Sequence, residues 1–181
     1  MKVILIHGNG GSTADNHWFP IVAGQLRSAG LEVINCQFPE TKIAYAHIWI
    51  PFLEELGADE NTILIGHSSG AIAAMRYAET HALYGSVLVG SYHTHLGMNT
   101  EKASGYFDDV WHWDTIKKNQ NWILQFASVD DPWIPIEEPR FIRDKLDTEY
   151  YEFEDQAHFD QERHKQAFPE LLEALQKRLS T

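Results

Sequence analysis

The run Thr62-Ile63-Leu64-Ile65-Gly66-His67-Ser68-Ser69-Gly70 constrains the fold of this chain more than any other stretch. β-favouring residues lead into a Gly-x-Ser-x-Gly turn, and the helix-favouring run from Ala71 to Glu79 leads out of it. In that setting the pattern predicts a tight strand-to-helix turn that lifts the central serine, Ser68, into a strained and exposed backbone pose. The flanking glycines have a physical task, since a Cβ at either place would press on the neighbouring strand or helix. A hydroxyl held out in this way suits nucleophilic attack, and a buried strand feeding a helix suits a sheet flanked by helices.

The rest of the chain repeats that alternation. Lys2–His7 is a continuous apolar run ending in Gly8-Asn9-Gly10-Gly11, as expected of a central parallel strand feeding a loop. Asp15 or Asn16 is placed to cap a helix carrying Trp18, Ile21, Val22, Leu26 and Ala29, closed by Gly30. Leu31–Cys36 reads as a strand, and Ala44–Leu56 as a helix that Pro51 kinks or bounds. Tyr84–Gly90, Trp122–Ala127 and Glu149–Phe153 read as strands, with helices over Glu137–Leu146 and Phe168–Leu179. Ser91–Trp113 shows no clean period, and a segment of that length is usually functional or covering. The expectation is one α/β domain over residues 1–181: a doubly wound, mostly parallel sheet of about six strands.

Composition narrows the function. With 181 residues, 44% of them hydrophobic, the chain has enough apolar mass for one good core. A formal charge of −12 argues against nucleic acid or an anionic membrane as partner, and favours neutral or cationic small molecules. The single cysteine, Cys36, allows no intrachain disulfide and fits a reducing compartment. Lys2–Ile6 is short for a signal sequence and no run reaches membrane-spanning length, so a cytoplasmic protein is expected.

A serine hydroxyl is a poor nucleophile, so Ser68 needs a base, and the base needs a group that fixes its tautomer. In enzymes built on this turn the partners follow in the order serine, acid, histidine, each after a later strand. Asp130 and Asp131 follow the strand at Trp122–Ala127, and His158 follows the strand at Glu149–Phe153. Asp131 is preferred because it opens Asp131-Pro132-Trp133-Ile134-Pro135, where Pro132 stiffens the turn; Asp130 is expected to cap the turn or to be solvated. The oxyanion is assigned to the backbone N–H of Ser69 and of Asn9, with Gly10 in reserve. His7 and His67 are expected to orient or pack rather than to act as bases. His93, His95, His158 and His164 lack a third ligand at metal spacing, so neither metal nor cofactor is expected. Tyr92, Tyr106, Phe107 and Trp133 are candidates for a small apolar pocket.

Gly8-Asn9-Gly10-Gly11, Ile48-Trp49-Ile50-Pro51-Phe52, the stretch from Gly66 to His81, Ser104-Gly105-Tyr106-Phe107 and Asp130-Asp131-Pro132 together resemble the retinoblastoma-binding protein 9 family of small serine hydrolases. That resemblance implies a minimal α/β-hydrolase fold without a large lid, lacking two antiparallel strands usual before the first strand. It also implies a triad of Ser68, Asp131 and His158; with no large lid insertion evident the site is expected to take small esters or amides, and the negative charge admits amino-acid derivatives. The family's name comes from a Leu-x-Cys-x-Glu segment. Here that place reads Leu56-Gly57-Ala58-Asp59-Glu60, with alanine for cysteine, so binding to the retinoblastoma pocket is not expected. The other class of function consistent with the sequence is a protein-interaction module that retains the triad as a relic, with no partner identifiable.

Overall fold

A computed structural model of the chain describes residues 1–161, 164 and 167–180. Six parallel strands form one sheet: β1 (Lys2–Ile6), β2 (Glu32–Asn35), β3 (Thr62–His67), β4 (Gly85–Val89), β5 (Ile123–Ser128) and β6 (Glu149–Phe153), in the order β2-β1-β3-β4-β5-β6. In register, Leu5 lies beside Ile65, Ile65 beside Val87 and Val87 beside Leu124. The chain winds outward from β1 in one direction to β2 and in the other to β3. A crevice therefore opens outside the carboxyl ends of β1 and β3, the switch point where open parallel sheets place their ligands.

Side chains alternate across each strand, which divides the core into two layers. Val3, Leu5, Ile63, Ile65, Val87, Val89 and Leu124 face α1 (Phe19–Ser28) and α7 (Pro169–Leu179) through Phe19, Val22, Leu26, Leu171 and Leu175. Ile4, Ile6, Leu64 and Leu88 face the opposite layer. It is built from α2 (Ala46–Glu55), α3 (Ser69–Ala78), α5 (Trp113–Lys118) and α6 (Glu137–Leu146). No helix among the described residues is long and apolar enough to cross a membrane.

Three local expectations change. The first helix opens at Phe19 with Pro20 in its first turn and has no side-chain cap; the Asn16 carboxamide instead accepts the Thr13 N–H at 2.7 Å. Phe19, Val22, Ala23 and Leu26 then form the inward stripe, which turns Ile21 outward to 39% exposure. Of the two expectations for Pro51, a kink or a boundary, the boundary is excluded, because Pro51 lies inside α2. The aperiodic stretch after β4 contains α4 (Asn99–Ser104) and ends at the start of α5. Each has six residues, too few for a helical period to show in the sequence.

Candidate active site

Ser68 sits between β3 and α3 with φ 55° and ψ −124°, a conformation that L side chains rarely adopt. Bare backbone makes room for it. A Cβ at Gly70 would lie 2.1 Å from the Ile6 carbonyl oxygen, and one at Gly66 would lie 2.3 Å from the Gly70 oxygen. A Cβ at Gly8 would stand 3.2 Å from Ser68 Cβ, so the loop after β1 also approaches the serine closely.

His158 lies on the loop after β6 and is 7% exposed. Its Nδ1 is 2.7 Å from Asp131 Oδ2. The other Asp131 oxygen, Oδ1, accepts the N–H groups of Trp133 and Ile134 at 2.9 and 3.0 Å, which locks the carboxylate in an Asx turn. Gly90, at φ +57°, passes beneath this pair; a Cβ there would be 3.1 Å from His158 Cε1.

The loop bearing His158 is strained and strapped down. Ala157 and Phe159, on either side of it, both have positive φ, at 47° and 56°. Asp130 Oδ1 accepts the Ala157 N–H at 2.8 Å and the Ser128 hydroxyl at 2.6 Å, while Ser128 Oγ accepts the Gln156 N–H at 2.9 Å. From below, His67 Nε2 donates to the His158 carbonyl at 2.7 Å. Burial pushes His67 well below the usual histidine range, with the neighbouring His158 adding to the effect, so it stays neutral. His7 serves the loop after β1 in a similar way. Its Nε2 accepts the Phe38 N–H at 3.0 Å, which leaves the proton on Nδ1 to donate to the Gly8 carbonyl at 2.8 Å. Burial lowers the pKa of His7 as well.

Ser68, His158, Asn9, Tyr92, Glu101 and Trp133 all line one cavity of about 390 Å³. A model of the family described as serine hydrolase matches residues 3–177. The chain belongs to the serine hydrolase family. It is 46% identical over 161 residues to Serine hydrolase RBBP9 of Rattus norvegicus, covering 87% of each chain. The ydeN gene product of B. subtilis superposes with a TM-score of 0.90 at 24% identity over 99% of both chains. Est1E from Butyrivibrio proteoclasticus superposes at 0.76 and 11% identity, over 99% of this chain and 88% of its own. Those two likenesses concern the fold, which is that of the α/β-hydrolases.

In this serine hydrolase the pocket differs from the sequence expectation. Tyr92 and Trp133 line the cavity, but Tyr106 and Phe107 do not. After α4 the chain reverses at Gly105, at φ +80°, and carries Tyr106 inward until it is 1% exposed in the α2–α3 layer. Phe107 stacks behind Tyr92 with ring centroids 5.8 Å apart. Leu96, Met98 and Ile134 supply the apolar wall instead, and Trp133 stands at the mouth, 60% exposed. Gly10, the reserve oxyanion donor, directs its N–H at the Lys42 carbonyl at 3.4 Å. Ser69 opens α3, where the first N–H groups lack intrahelical acceptors. Among the described residues, no three His, Cys, Asp or Glu side chains are grouped to hold a metal ion. The anchoring roles of Ser128 and Asp130 had one sequence signal: polar residues clustered directly after β5.

Proposed function

We propose that this serine hydrolase cleaves small carboxylic esters or amides through an acyl-enzyme on Ser68, with His158 as base and Asp131 as its orienting acid. What carries the proposal is the 2.7 Å Asp131–His158 bond beside a cavity that Ser68 also lines. With Nδ1–H donated to Asp131, the lone pair of His158 Nε2 is free to take the Ser68 proton as Oγ attacks the carbonyl carbon. The N–H groups of Asn9 and Ser69 receive the oxyanion. Collapse of the tetrahedral intermediate breaks the bond to the leaving alcohol or amine, which takes the proton from His158. Water then attacks the acyl-serine, losing its proton to His158, and the acid departs with Ser68 restored. Leu96, Met98, Ile134 and Trp133 in the cavity favour an apolar face on the acyl group. The charge of −12 accommodates an amine, which makes amino-acid esters and amides the narrower class.

A fluorophosphonate probe tests the nucleophile. Mass spectrometry of the labelled, folded protein should find one adduct, on the peptide containing Ser68. Turnover of p-nitrophenyl acetate with Ser68 unlabelled and the adduct elsewhere would refute the assignment.

The straps on the His158 loop predict a second effect. Asp130→Ala removes the acceptor of the Ala157 N–H and is expected to lower kcat about tenfold, because misplacing a base by a fraction of an ångström slows proton transfer. Asp130→Asn keeps an Oδ1 acceptor and should stay within about threefold of the parent. Equal activity in all three proteins, measured by steady-state kinetics, would remove Asp130 from the positioning machinery.

A further inference from the structure

Glu101 is a carboxylate in α4, far in sequence from Ser68, Asp131 and His158, yet it lines the same cavity while being only 3% exposed. An ionised carboxylate is expensive to bury unless its oxygens accept hydrogen bonds. Both do. Oε1 accepts from Asn9 Nδ2 at 2.6 Å, and Oε2 accepts from the Tyr92 hydroxyl at 2.6 Å. Tyr92 is 2% exposed, and its hydroxyl is also 3.1 Å from Ser69 Oγ. The single Tyr92 proton goes to Glu101, so in that last bond Ser69 must be the donor. The resulting chain has one direction: Ser69 hydroxyl to Tyr92 hydroxyl to Glu101, with the Asn9 carboxamide arriving at the other oxygen.

The two residues gathered by this chain are the same two whose backbone N–H groups are assigned to the oxyanion. They come from different loops, Asn9 from the turn after β1 and Ser69 from the elbow after β3. The turn after β1 also contains Gly8, Gly10 and Gly11, the last two at φ +69° and +85°, so its placement depends on bonds to other parts of the chain. An oxyanion hole works only when both donors are preset at the position the oxygen will occupy.

We propose that Glu101 is a positioning residue for the oxyanion hole, fixing Asn9 directly and Ser69 through Tyr92. This rests on the ester or amide hydrolysis proposed above. A direct role for Glu101 in holding a substrate ammonium fits less well, because both oxygens already accept short hydrogen bonds from the protein and almost none of the residue is open to solvent. Burial raises the Glu101 pKa, while the bonds from Tyr92 and Asn9 act against that rise; the Tyr92 phenol, buried beside a carboxylate, is held well above its ordinary value and keeps its proton.

Steady-state kinetics on p-nitrophenyl acetate, together with the affinity of phenylboronic acid, separates the possibilities. The boronate forms a tetrahedral adduct on the serine and places an oxygen where the oxyanion would be, so it reports on transition-state binding. Glu101→Ala is expected to lower kcat by about ten- to a hundredfold with KM within about twofold, and to weaken the boronate by the same factor as kcat/KM. Glu101→Gln, which keeps one acceptor for Asn9, should recover part of that loss. Tyr92→Phe, nearly isosteric, removes the bond to Glu101 Oε2 and with it the arm to Ser69, leaves the Asn9 bond in place, and should lower kcat by about three- to tenfold even if Glu101→Ala fails to fold. Parental kcat in Tyr92→Phe, or in a folded Glu101→Ala, overturns the proposal if Ser68→Ala is inactive. A loss confined to KM with boronate affinity unchanged overturns it in favour of a substrate contact. Full turnover by Ser68→Ala would instead strike the hydrolysis mechanism itself.

Discussion

Ser68→Ala is expected, on the proposed mechanism, to lower kcat/KM for p-nitrophenyl acetate by about ten-thousandfold or more, leaving only the contribution of binding and the proposed oxyanion donors. Its melting temperature should match the parent, because alanine keeps the Cβ and inherits the same backbone pose. Ser68→Gly should be equally inactive but melt higher. At φ 55° and ψ −124° a side chain strains the backbone by about 1–3 kcal/mol, and glycine relieves that strain at an entropic cost of about 0.5–1 kcal/mol. The net gain of roughly 1 kcal/mol corresponds to about 2–4 °C for a chain of this length. Thermal melts and initial rates on the three proteins decide both points. Residual turnover near the parental rate in Ser68→Ala would remove the nucleophile. A glycine variant melting below the alanine variant would mean that the elbow stores no such strain. The two measurements are independent: strain could be present in a turn with no catalysis, and catalysis could proceed from a relaxed one.

What could be read in the sequence followed from short-range physics. Val3-Ile4-Leu5-Ile6 and Ile63-Leu64-Ile65 are uninterrupted apolar stretches because strands buried on both faces have no polar side to show, and both lie in strands where strands are expected. Ser68, Asp131 and His158 could be listed in order because each follows a strand, and parallel strands deliver such loops to a common edge. The contacts between loops were not legible. Nothing local to Asp130 says that its carboxylate will reach the Ala157 N–H, 27 positions away, nor that Glu101 will meet Asn9 across 92. Those distances depend on how α4 and the loop after β6 fold back over the sheet, and neither has a periodic pattern to announce it. Tyr106 and Phe107 lie outside the cavity lining for the same reason. Aromatic character and loop position put them near the cavity, but the left-handed turn at Gly105 decides which way they face. For His67, expected to orient or pack, the structure gives a specific partner, the His158 carbonyl.

The largest stability effect is expected at Gly70. Its α-carbon is where the first turn of α3 rides against the carboxyl end of β1, and an added Cβ would lie 2.1 Å from the Ile6 oxygen and 2.7 Å from the His7 oxygen. Both are backbone atoms, one ending β1 and one directly after it, and the β1 side chains Ile4, Leu5 and Ile6 are fully or almost fully buried. Neither can step aside as the tip of a flexible side chain would. Relief requires α3 to lift from the sheet, which would open contacts in the layer containing Ile72, Met75 and Leu64. Gly70→Ala should therefore cost about 3–5 kcal/mol, a fall in melting temperature on the order of 10 °C or more. Gly24→Ala provides the internal contrast. Gly24 lies on the exposed side of α1, nothing stands within 4 Å of its added Cβ, and alanine there should stabilise by about 0.5–1 kcal/mol. If calorimetry found the two substitutions within 1 kcal/mol of each other, the close contact between α3 and β1 could not be as tight as these distances require. Activity should fall with Gly70→Ala even in the fraction that remains folded, since any lift of α3 carries Ser68 and the Ser69 N–H away from the loop after β1. A variant that loses stability but keeps full kcat when folded would show that the loop after β1 moves together with the elbow.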